Sequence, residues 1–233
     1  DLQVRAGEIV GIAGVAGNGQ SELLEVLGGY QDGTGELRLN GQLLDLSGRH
    51  SDGQSRRARG VAHVPEDRHH MGLVLKFEES ENAILGYHDD PRYLKSILLD
   101  VEAIRTDAQE KAEKYDIRPR DVRLKTANFS GGNQQKIVLA REMERDPAVI
   151  IIGQPTRGVD VGAIEFIHKR IIEMRDAGKA ILLVSVELDE IRSLSDRVLV
   201  MFDGTIVGER SPDTGEGELG LLMAGVSDQE AAE

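Results

Sequence analysis

Cysteine and tryptophan are absent from the sequence, and aromatic residues make up only 3% of its 233 positions. The lack of cysteine excludes a disulfide framework and excludes metal sites built on thiolates. It also fits a protein of a reducing compartment. Hydrophobic residues make up 39% of the chain, which is enough to predict a packed globular core without cross-links.

Basic residues and long apolar runs are also scarce. Lysine and arginine total 28 against 41 acidic residues, which gives a formal net charge of −13. We therefore predict no nucleic-acid partner, because contacts to a phosphate backbone normally need a basic patch. No apolar run approaches the roughly 20 residues that span a bilayer, so we expect any link to a membrane to run through a partner protein.

Short apolar runs that alternate with helical patterns dominate both ends of the chain. Continuous apolar strands that alternate with helices indicate a buried parallel sheet, and hence an α/β fold. Residues 1–4 read as the end of a strand whose start is missing, so we expect the chain to be a piece of a longer protein. The predicted strands are 8–13, 36–39, a short one after residue 41, 60–65, 148–152, 180–185 and 198–202, and an amphipathic helix is predicted over 162–176.

The middle of the chain is more charged and mostly helical in its pattern. Because it lies between strands of the predicted sheet, it reads as an inserted subdomain. We predict one domain over 1–233, with its α/β core at 1–76 and 147–226, a helical subdomain at 77–146 and a disordered tail at 227–233.

A glycine-rich string, GVAGNGQS at 14–21, follows the first apolar strand and opens a helix. Strand, glycine loop and helix are the context in which backbone N–H groups and a helix N-terminus surround phosphates. The phosphate-loop pattern has a lysine before its serine or threonine, where this chain has Gln20. On its own, the string fits an ordinary glycine-rich turn equally well.

A second glycine pair stands at the start of another helix, in NFSGGNQQKIVLAREM at 128–143. Ser130 is a good N-cap, and two glycines at a helix start are costly unless something must approach closely. The alternative is an ordinary capped helix. A strand at 148–152 then ends in the string GQPTRGVDVGA.

Phosphate loop, SGG-x-Q helix start and P-T-R-G-V-D after a strand together resemble the nucleotide-binding domain of ABC transporters. The resemblance implies a P-loop (RecA-like) parallel sheet with antiparallel strands near the N-terminus and an inserted helical subdomain. Four strings resemble more closely the C-terminal half of fused two-domain ATPases of simple-sugar and nucleoside importers. The nucleoside branch, which works with basic-membrane-lipoprotein receptors, is favoured by GQPTRGVDVGAIEFIH. The four strings are HVPEDRHHMGLVL (63–75), QPTRGVDVGAIEFIH (154–168), SVELDEI (185–191) and GLLMAG (220–225).

The resemblance implies ATP and Mg²⁺ as ligands, but the chain departs from the active pattern. Gln20 replaces the lysine, Gly153 the strand-ending aspartate and Gln154 the catalytic glutamate, while Val186 replaces the switch histidine. An amide can orient water but cannot accept its proton, and each lost group of this kind costs roughly 10²–10³ in rate. We therefore expect little hydrolysis and weak nucleotide binding at this chain's own site. The nucleotide-binding residues would be Gly14, Gly17, Asn18, Gly19, Gln20, Ser21 and Glu22, with Ser21 as a weak Mg²⁺ ligand.

The signature motif, in contrast, is intact. By the resemblance it caps ATP held by the partner domain, here an N-terminal nucleotide-binding domain of the same polypeptide. This set comprises Ser130, Gly131, Gly132, Gln134 and Asp160.

A third set, in the E-D-R loop, stands where the family meets its membrane subunits. Glu66 replaces a glutamine that senses the γ-phosphate and the permease, and Asp67 and Arg68 would contact the permease or form a local ion pair. An exposed loop is favoured over a metal cluster at His69-His70.

The implied location is the cytoplasmic face of the membrane, with permease subunits as partners and a substrate-binding lipoprotein as an indirect one. The alternatives are a scaffold domain that binds no nucleotide and a soluble DNA-associated ATPase, which the charge opposes.

Overall fold

Residues 1–226 are described by this computed structural model, and they divide into two compact units. The first unit consists of residues 1–66, 147–155 and 168 onward, and the second consists of 67–146 and 156–167. The second unit is therefore larger than the helical stretch expected from the sequence, because 67–76 and 156–167 belong to it. The predicted tail at 227–233 lies outside the described residues.

The strands of the described residues lie mostly at the two ends of the chain. In chain order they are β1 Glu8–Ala13, β2 Leu37–Leu39, β3 Gln42–Leu44, β4 Val61–Val64, β5 Leu94–Lys95, β6 Leu98–Leu99, β7 Val149–Gly153, β8 Ala180–Ser185, β9 Arg197–Phe202 and β10 Thr205–Arg210.

The α-helices of the same residues fill the intervals. They are α1 Gln20–Gly28, α2 Gly53–Ala58, α3 Glu79–Asn82, α4 Val101–Lys114, α5 Gly131–Met143, α6 Val161–Asp176, α7 Leu188–Leu194 and α8 Glu216–Met223. A π-helical turn spans Arg68–Gly72 and 3₁₀ turns span Pro91–Tyr93 and Thr126–Asn128.

The first unit is built on a six-stranded sheet in the order β10-β9-β1-β8-β7-β4. Neighbours pair in parallel from β9 to β4, and only the edge strand β10 is antiparallel. The central strands are apolar throughout because both of their faces are covered. The carboxyl ends of β1, β7 and β8 therefore lie along one edge of the sheet, where the glycine loop and the loops after β7 and β8 begin.

One face of this sheet carries an apolar core that also receives Leu24 of α1. A separate antiparallel pair, β2 with β3, accounts for the antiparallel strands expected near the N-terminus. Residues 1–4, in contrast, form no strand, so that expectation is wrong. Leu2 and Val4 alternate because they pack, partly buried, against the core rather than because they pair in a ladder.

The second unit is mainly helical. A small cluster of Ile84, Tyr93 and Ile104 is buried within it. The β5–β6 hairpin, which the sequence pattern does not predict, pairs only two residues on each side. Its strands are largely exposed, so the apolar alternation that signals a half-buried strand is missing.

Candidate functional site: a glycine loop and a signature helix

The glycine loop at 14–19 connects β1 to α1 and requires glycine at three positions, one for lack of space and two for their backbone conformation. A Cβ on Gly14 would meet the amide of Gln20 and the carbonyl of Met201. Gly17 and Gly19 have φ values of +90° and +98°, a region that residues with a side chain rarely adopt. The loop conformation therefore depends on its glycines, as the phosphate-loop interpretation requires.

The first turn of α1 starts without a side-chain cap. Gly19 is the N-cap and contributes no side-chain hydrogen bond, and Glu22 lies exposed in this first turn. The N-terminal amides of a helix attract anions, together with the helix dipole. The end of α1 is thus chemically suited to phosphate.

Gln20 folds back onto the glycine loop. Its Nε2 donates to the carbonyl of Val15 at 3.2 Å, and the side chain is only 7% exposed. The amide thus holds the loop by a neutral hydrogen bond, and it brings no positive charge to the place where the pattern has a lysine.

Asn18 anchors the loop to the turn between β9 and β10. Its Oδ1 accepts from the amide of Asp203 at 3.1 Å, and its carbonyl accepts from Gly204 at 3.0 Å. Sequence reasoning assigned Asn18 to nucleotide binding and missed this turn, although Asp-Gly is a strong hairpin signal.

Ser21 is bonded to Glu66, which follows β4. The Ser21 hydroxyl donates to Oε1 of Glu66 at 2.7 Å. Gly153, at the end of β7, leaves the space that this arrangement needs. A Cβ on Gly153 would lie 2.7 Å from Leu24 Cδ1 and 3.1 Å from Glu66 Cβ. A carboxylate therefore does reach Ser21, but it comes from the loop after β4 and not from the end of β7.

Gln154 and Val186, which the family resemblance sets at the positions of a catalytic glutamate and a switch histidine, lie next to each other. Oε1 of Gln154 accepts from the amide of Val186 at 3.3 Å. Gln154 has φ +47°, an uncommon conformation for a residue with a side chain, and such conformations concentrate at functional sites. The side-chain oxygen of Gln154 is thus engaged with the backbone, and Val186, 44% exposed, offers only an apolar group.

The signature segment begins α5 in the second unit. Ser130 is its N-cap, is exposed, and accepts from the side chain of Asn133 at 2.8 Å and more weakly from its amide at 3.4 Å. Gln134 is 6% exposed and donates to the carbonyls of Thr126 at 3.1 Å and Phe129 at 3.0 Å. These bonds fix the backbone immediately before Ser130.

The two signature glycines are explained by contacts inside the second unit. A Cβ on Gly131 would lie 2.7 Å from the carbonyl of Gly158, and one on Gly132 would lie 2.9 Å from Oδ2 of Asp160. Asp160 also caps α6, since its Oδ1 accepts from Ala163 at 3.0 Å. The sequence argument, that a glycine pair marks the approach of a ligand, is thus incomplete, because neighbouring protein backbone approaches there too.

Asp67 and Arg68 bond to backbone groups. Hydrogen bonds from the amides of His70 and His69 hold the pKa of the Asp67 carboxyl below its usual value, with that from His70 the larger. Arg68 donates to the carbonyls of Arg157 at 2.7 Å and Gly158 at 3.4 Å. Instead of the expected local ion pair, Asp67 binds the backbone of the turn at 69–70, and Arg68 binds the backbone of the turn at 157–158.

His69 contacts the signature through Gln134. Its Nε2 lies 2.7 Å from Oε1 of Gln134.

Over residues 1–226, no three His, Asp or Glu side chains form a group that could hold a metal ion. Within the same residues, no helix is long and apolar enough to cross a membrane.

A glycine loop between a buried parallel strand and a helix, at the carboxyl edge of an α/β sheet, defines a P-loop-type domain. The sequence model of the family described as "ABC transporter" matches residues 1–157, and the chain belongs to that family. Domains of this family bind ATP, normally with Mg²⁺. The family resemblance drawn from the signature and P-T-R-G-V-D strings is thereby confirmed.

Solved structures confirm the α/β fold class. The ATP-binding cassette MJ0796, in a dimeric post-hydrolysis state bound to ADP and Pi, superposes with a TM-score of 0.77 over 92% of this chain and 89% of that chain, at 24% identity. A nucleotide-free ATP-binding cassette gives a TM-score of 0.75 over 98% and 88% of the two chains, at 21% identity. At these identities the likeness concerns the fold alone.

Curated relatives are more similar in sequence. The guanosine import ATP-binding protein NupO of Bacillus subtilis is 48% identical over 99% of this chain and 45% of its own length. The nucleoside import ATP-binding protein NupA of Lactococcus lactis is 46% identical over 96% and 44%. The glucose import ATP-binding protein TsgD13 of Haloferax volcanii is 43% identical over 99% and 42%. The chain thus spans a little under half the length of these relatives.

Proposed function

We propose that this chain is the nucleotide-binding domain of an importer ATPase for nucleosides or simple sugars, with nucleosides favoured. The two relatives at 46–48% identity are named for guanosine and nucleoside import, and the one at 43% is named for glucose import. The identity covers nearly the whole chain, so the support extends to both of its units.

We further propose that the chain is the C-terminal half of a fused protein, paired with an N-terminal nucleotide-binding domain. The relatives are more than twice as long as the segment that matches, which leaves room in them for a second domain. The permease subunits would be the direct membrane partners, through Glu66, Asp67 and Arg68, and a substrate-binding lipoprotein an indirect one. The protein would then work at the cytoplasmic face of the membrane.

In this proposal, the ATP that is hydrolysed is the one held by the partner domain, and the chain's own glycine loop contributes little turnover. At the chain's own loop Gln20 is neutral, Gln154 is occupied by the amide of Val186, and Gly153 has no side chain. Phosphoryl transfer depends on positioned charge and on an oriented nucleophile, so this set supports weak binding of ATP and Mg²⁺ with little turnover.

The observation that carries the proposal is the exposed N-terminus of α5. Ser130 presents its hydroxyl there, and Gln134 holds the preceding carbonyls in place. A hydroxyl and helix amides that face outward can receive an anion. We propose that Ser130, Gly131 and Gly132 cap the γ-phosphate of ATP held by the partner domain, with Asp160 beside them.

The test is substrate uptake by cells that express the whole transporter. Ser130→Arg should abolish uptake of labelled guanosine, because a bulky cation then replaces the hydroxyl, whereas Gln20→Ala should lower it by no more than a few fold. Ser47→Arg, on an exposed loop of the first unit, is the matched control. Loss of uptake with Gln20→Ala and retention with Ser130→Arg would contradict the division of labour.

The alternative is a scaffold domain that binds no nucleotide. The replacements at Gln20 and Gly153 are the observations that favour it. Titration of the chain with a fluorescent ATP analogue and Mg²⁺ separates the two, since the scaffold predicts no binding at millimolar nucleotide.

A further inference from the structure

Glu66 places a carboxylate at the first turn of α1. Its Oε1 accepts the hydroxyl hydrogen of Ser21 at 2.7 Å, and both side chains are partly buried. The N-terminus of α1 is the part of the loop where the fold favours an anion. A negative side chain at that place opposes the binding of phosphate.

The absence of a side chain at Gly153 leaves space for Glu66. The closest atoms to a Cβ at this position would be Cδ1 of Leu24, at 2.7 Å, and the Cβ and amide nitrogen of Glu66, both at 3.1 Å. An aspartate at the end of β7 would therefore displace the end of the Leu24 side chain and press on the amide nitrogen and Cβ of Glu66, which would have to move by a few tenths of an ångström. The carboxylate after β4 and the glycine at the end of β7 are sterically linked, so one negative charge is exchanged for another in a different place.

The donor set of Ser21 and Glu66 fits a magnesium ion. Mg²⁺ prefers hydroxyl and carboxylate oxygens at about 2.1 Å in an octahedron, whose neighbouring ligand oxygens are about 2.9 Å apart. The two oxygens here are neighbours because they share a hydrogen bond of 2.7 Å, and a single cation could contact both. A cation would neutralise the carboxylate and leave the helix N-terminus free to attract phosphate.

We propose that Glu66 is a gate on the glycine loop that admits nucleotide only together with a divalent cation. Metal-free nucleotide meets the carboxylate and is repelled, whereas nucleotide that carries Mg²⁺ turns the same carboxylate into a ligand beside Ser21. This regulation rests on the proposed function, in which the loop at 14–19 receives phosphates.

The experiment compares binding of mant-ATP, by fluorescence, to the chain in Mg²⁺ and in EDTA. The wild type should bind measurably only with Mg²⁺. Glu66→Gln removes the charge and retains the shape, so its affinity in EDTA should rise on the order of 10- to 100-fold, as expected for loss of one nearby like charge. Glu25→Gln, one turn further along α1, removes an equal charge away from Ser21 and should leave both affinities unchanged.

A second readout follows the metal itself. Mn²⁺ in the presence of ATP should be immobilised by the wild type in electron paramagnetic resonance spectra, and less so by Glu66→Gln. Glu66→Ala, checked for folding by circular dichroism, should behave like Glu66→Gln in both assays.

Three outcomes would overturn the gate. The first is equal wild-type affinity with and without metal, and the second is a Glu66→Gln variant with the metal dependence of the wild type. The third is no binding by any variant in either condition, because removal of the gate should open the loop. The first two outcomes leave the uptake test at Ser130 untouched, and the third would favour the scaffold alternative as well, so failure of the gate and failure of the proposed function are distinguishable.

Discussion

Glu79, the first residue of α3, is a carboxylic acid buried in the second unit. It is 1% exposed, and neither of its carboxylate oxygens has a hydrogen-bond partner among the described residues. Two charged side chains of α4 face it, Lys111 and Asp107, which are bonded to each other. Burial raises the pKa of Glu79 to about 8, although Lys111 lowers it and Asp107 raises it further.

This pKa makes the free energy of unfolding depend on pH. The ordinary value is 4.5, so between pH 4.5 and pH 8 the folded chain holds a proton that the unfolded chain has lost. Stability contributed by the neutral acid is therefore complete below pH 4.5 and declines as pH rises toward 8. At 1.36 kcal/mol per pH unit, the free energy of unfolding falls by at most about 5 kcal/mol between pH 4.5 and pH 8.

Urea unfolding of wild type and Glu79→Gln at a series of pH values measures this contribution. Three of the four tyrosines, Tyr87, Tyr93 and Tyr115, lie in the second unit, so tyrosine fluorescence follows mainly the unit that contains Glu79. The variant should gain stability relative to wild type by up to about 1.4 kcal/mol per pH unit across the window.

Glu110→Gln is the control, because Glu110 is an exposed residue of α4, the helix that carries Lys111 and Asp107. Its stability difference from wild type should stay constant with pH. A Glu79→Gln difference that is equally flat from pH 5 to pH 8.5 would refute the reasoning, since it would mean that Glu79 titrates in the folded protein as it does in water.

Three further substitutions test the packing around the two candidate sites by chemical denaturation. Gly153→Asp should destabilise the first unit by about 1–3 kcal/mol because its Cβ meets Leu24; wild-type stability would show that the space is not limiting. Asn18→Ala should cost about 1 kcal/mol and speed hydrogen exchange at the amide of Asp203, whose acceptor it removes; unchanged exchange would contradict the anchor. Gln134→Leu should cost about 1–3 kcal/mol, since it leaves two buried carbonyls without their donor; a smaller loss would mean that water replaces the amide.

The sheet was predictable because its strands are buried on both faces. The apolar runs at 8–13 and 180–185 match β1 and β8 in full, since a parallel strand with two covered faces needs no polar alternation. The edge strand β10 escaped prediction. It alternates between exposed and intermediate burial, and its hairpin turn, Asp203-Gly204, was the signal available in the sequence.

The contacts within the phosphate-loop region were only partly predictable. The string itself predicts a glycine loop between a strand and a helix, and the structure has β1 and α1 on its two sides. The bond between Ser21 and Glu66, in contrast, joins residues 45 positions apart, and its geometry depends on how β4 and α1 pack. A motif position identifies such residues as candidates, but only the folded chain shows that the two side chains touch.

The signature glycines show why a motif needs both a structural and a functional account. A glycine pair at a helix start costs stability because glycine has more conformational freedom in the unfolded chain. Gly158 and Asp160, however, approach Gly131 and Gly132 so closely that a side chain at either position would collide with them. The glycines alone therefore do not distinguish an anion site from tight packing. Ser130 is the residue whose substitution tests function, because its side chain is exposed and a different N-cap would leave the packing of the glycines unchanged.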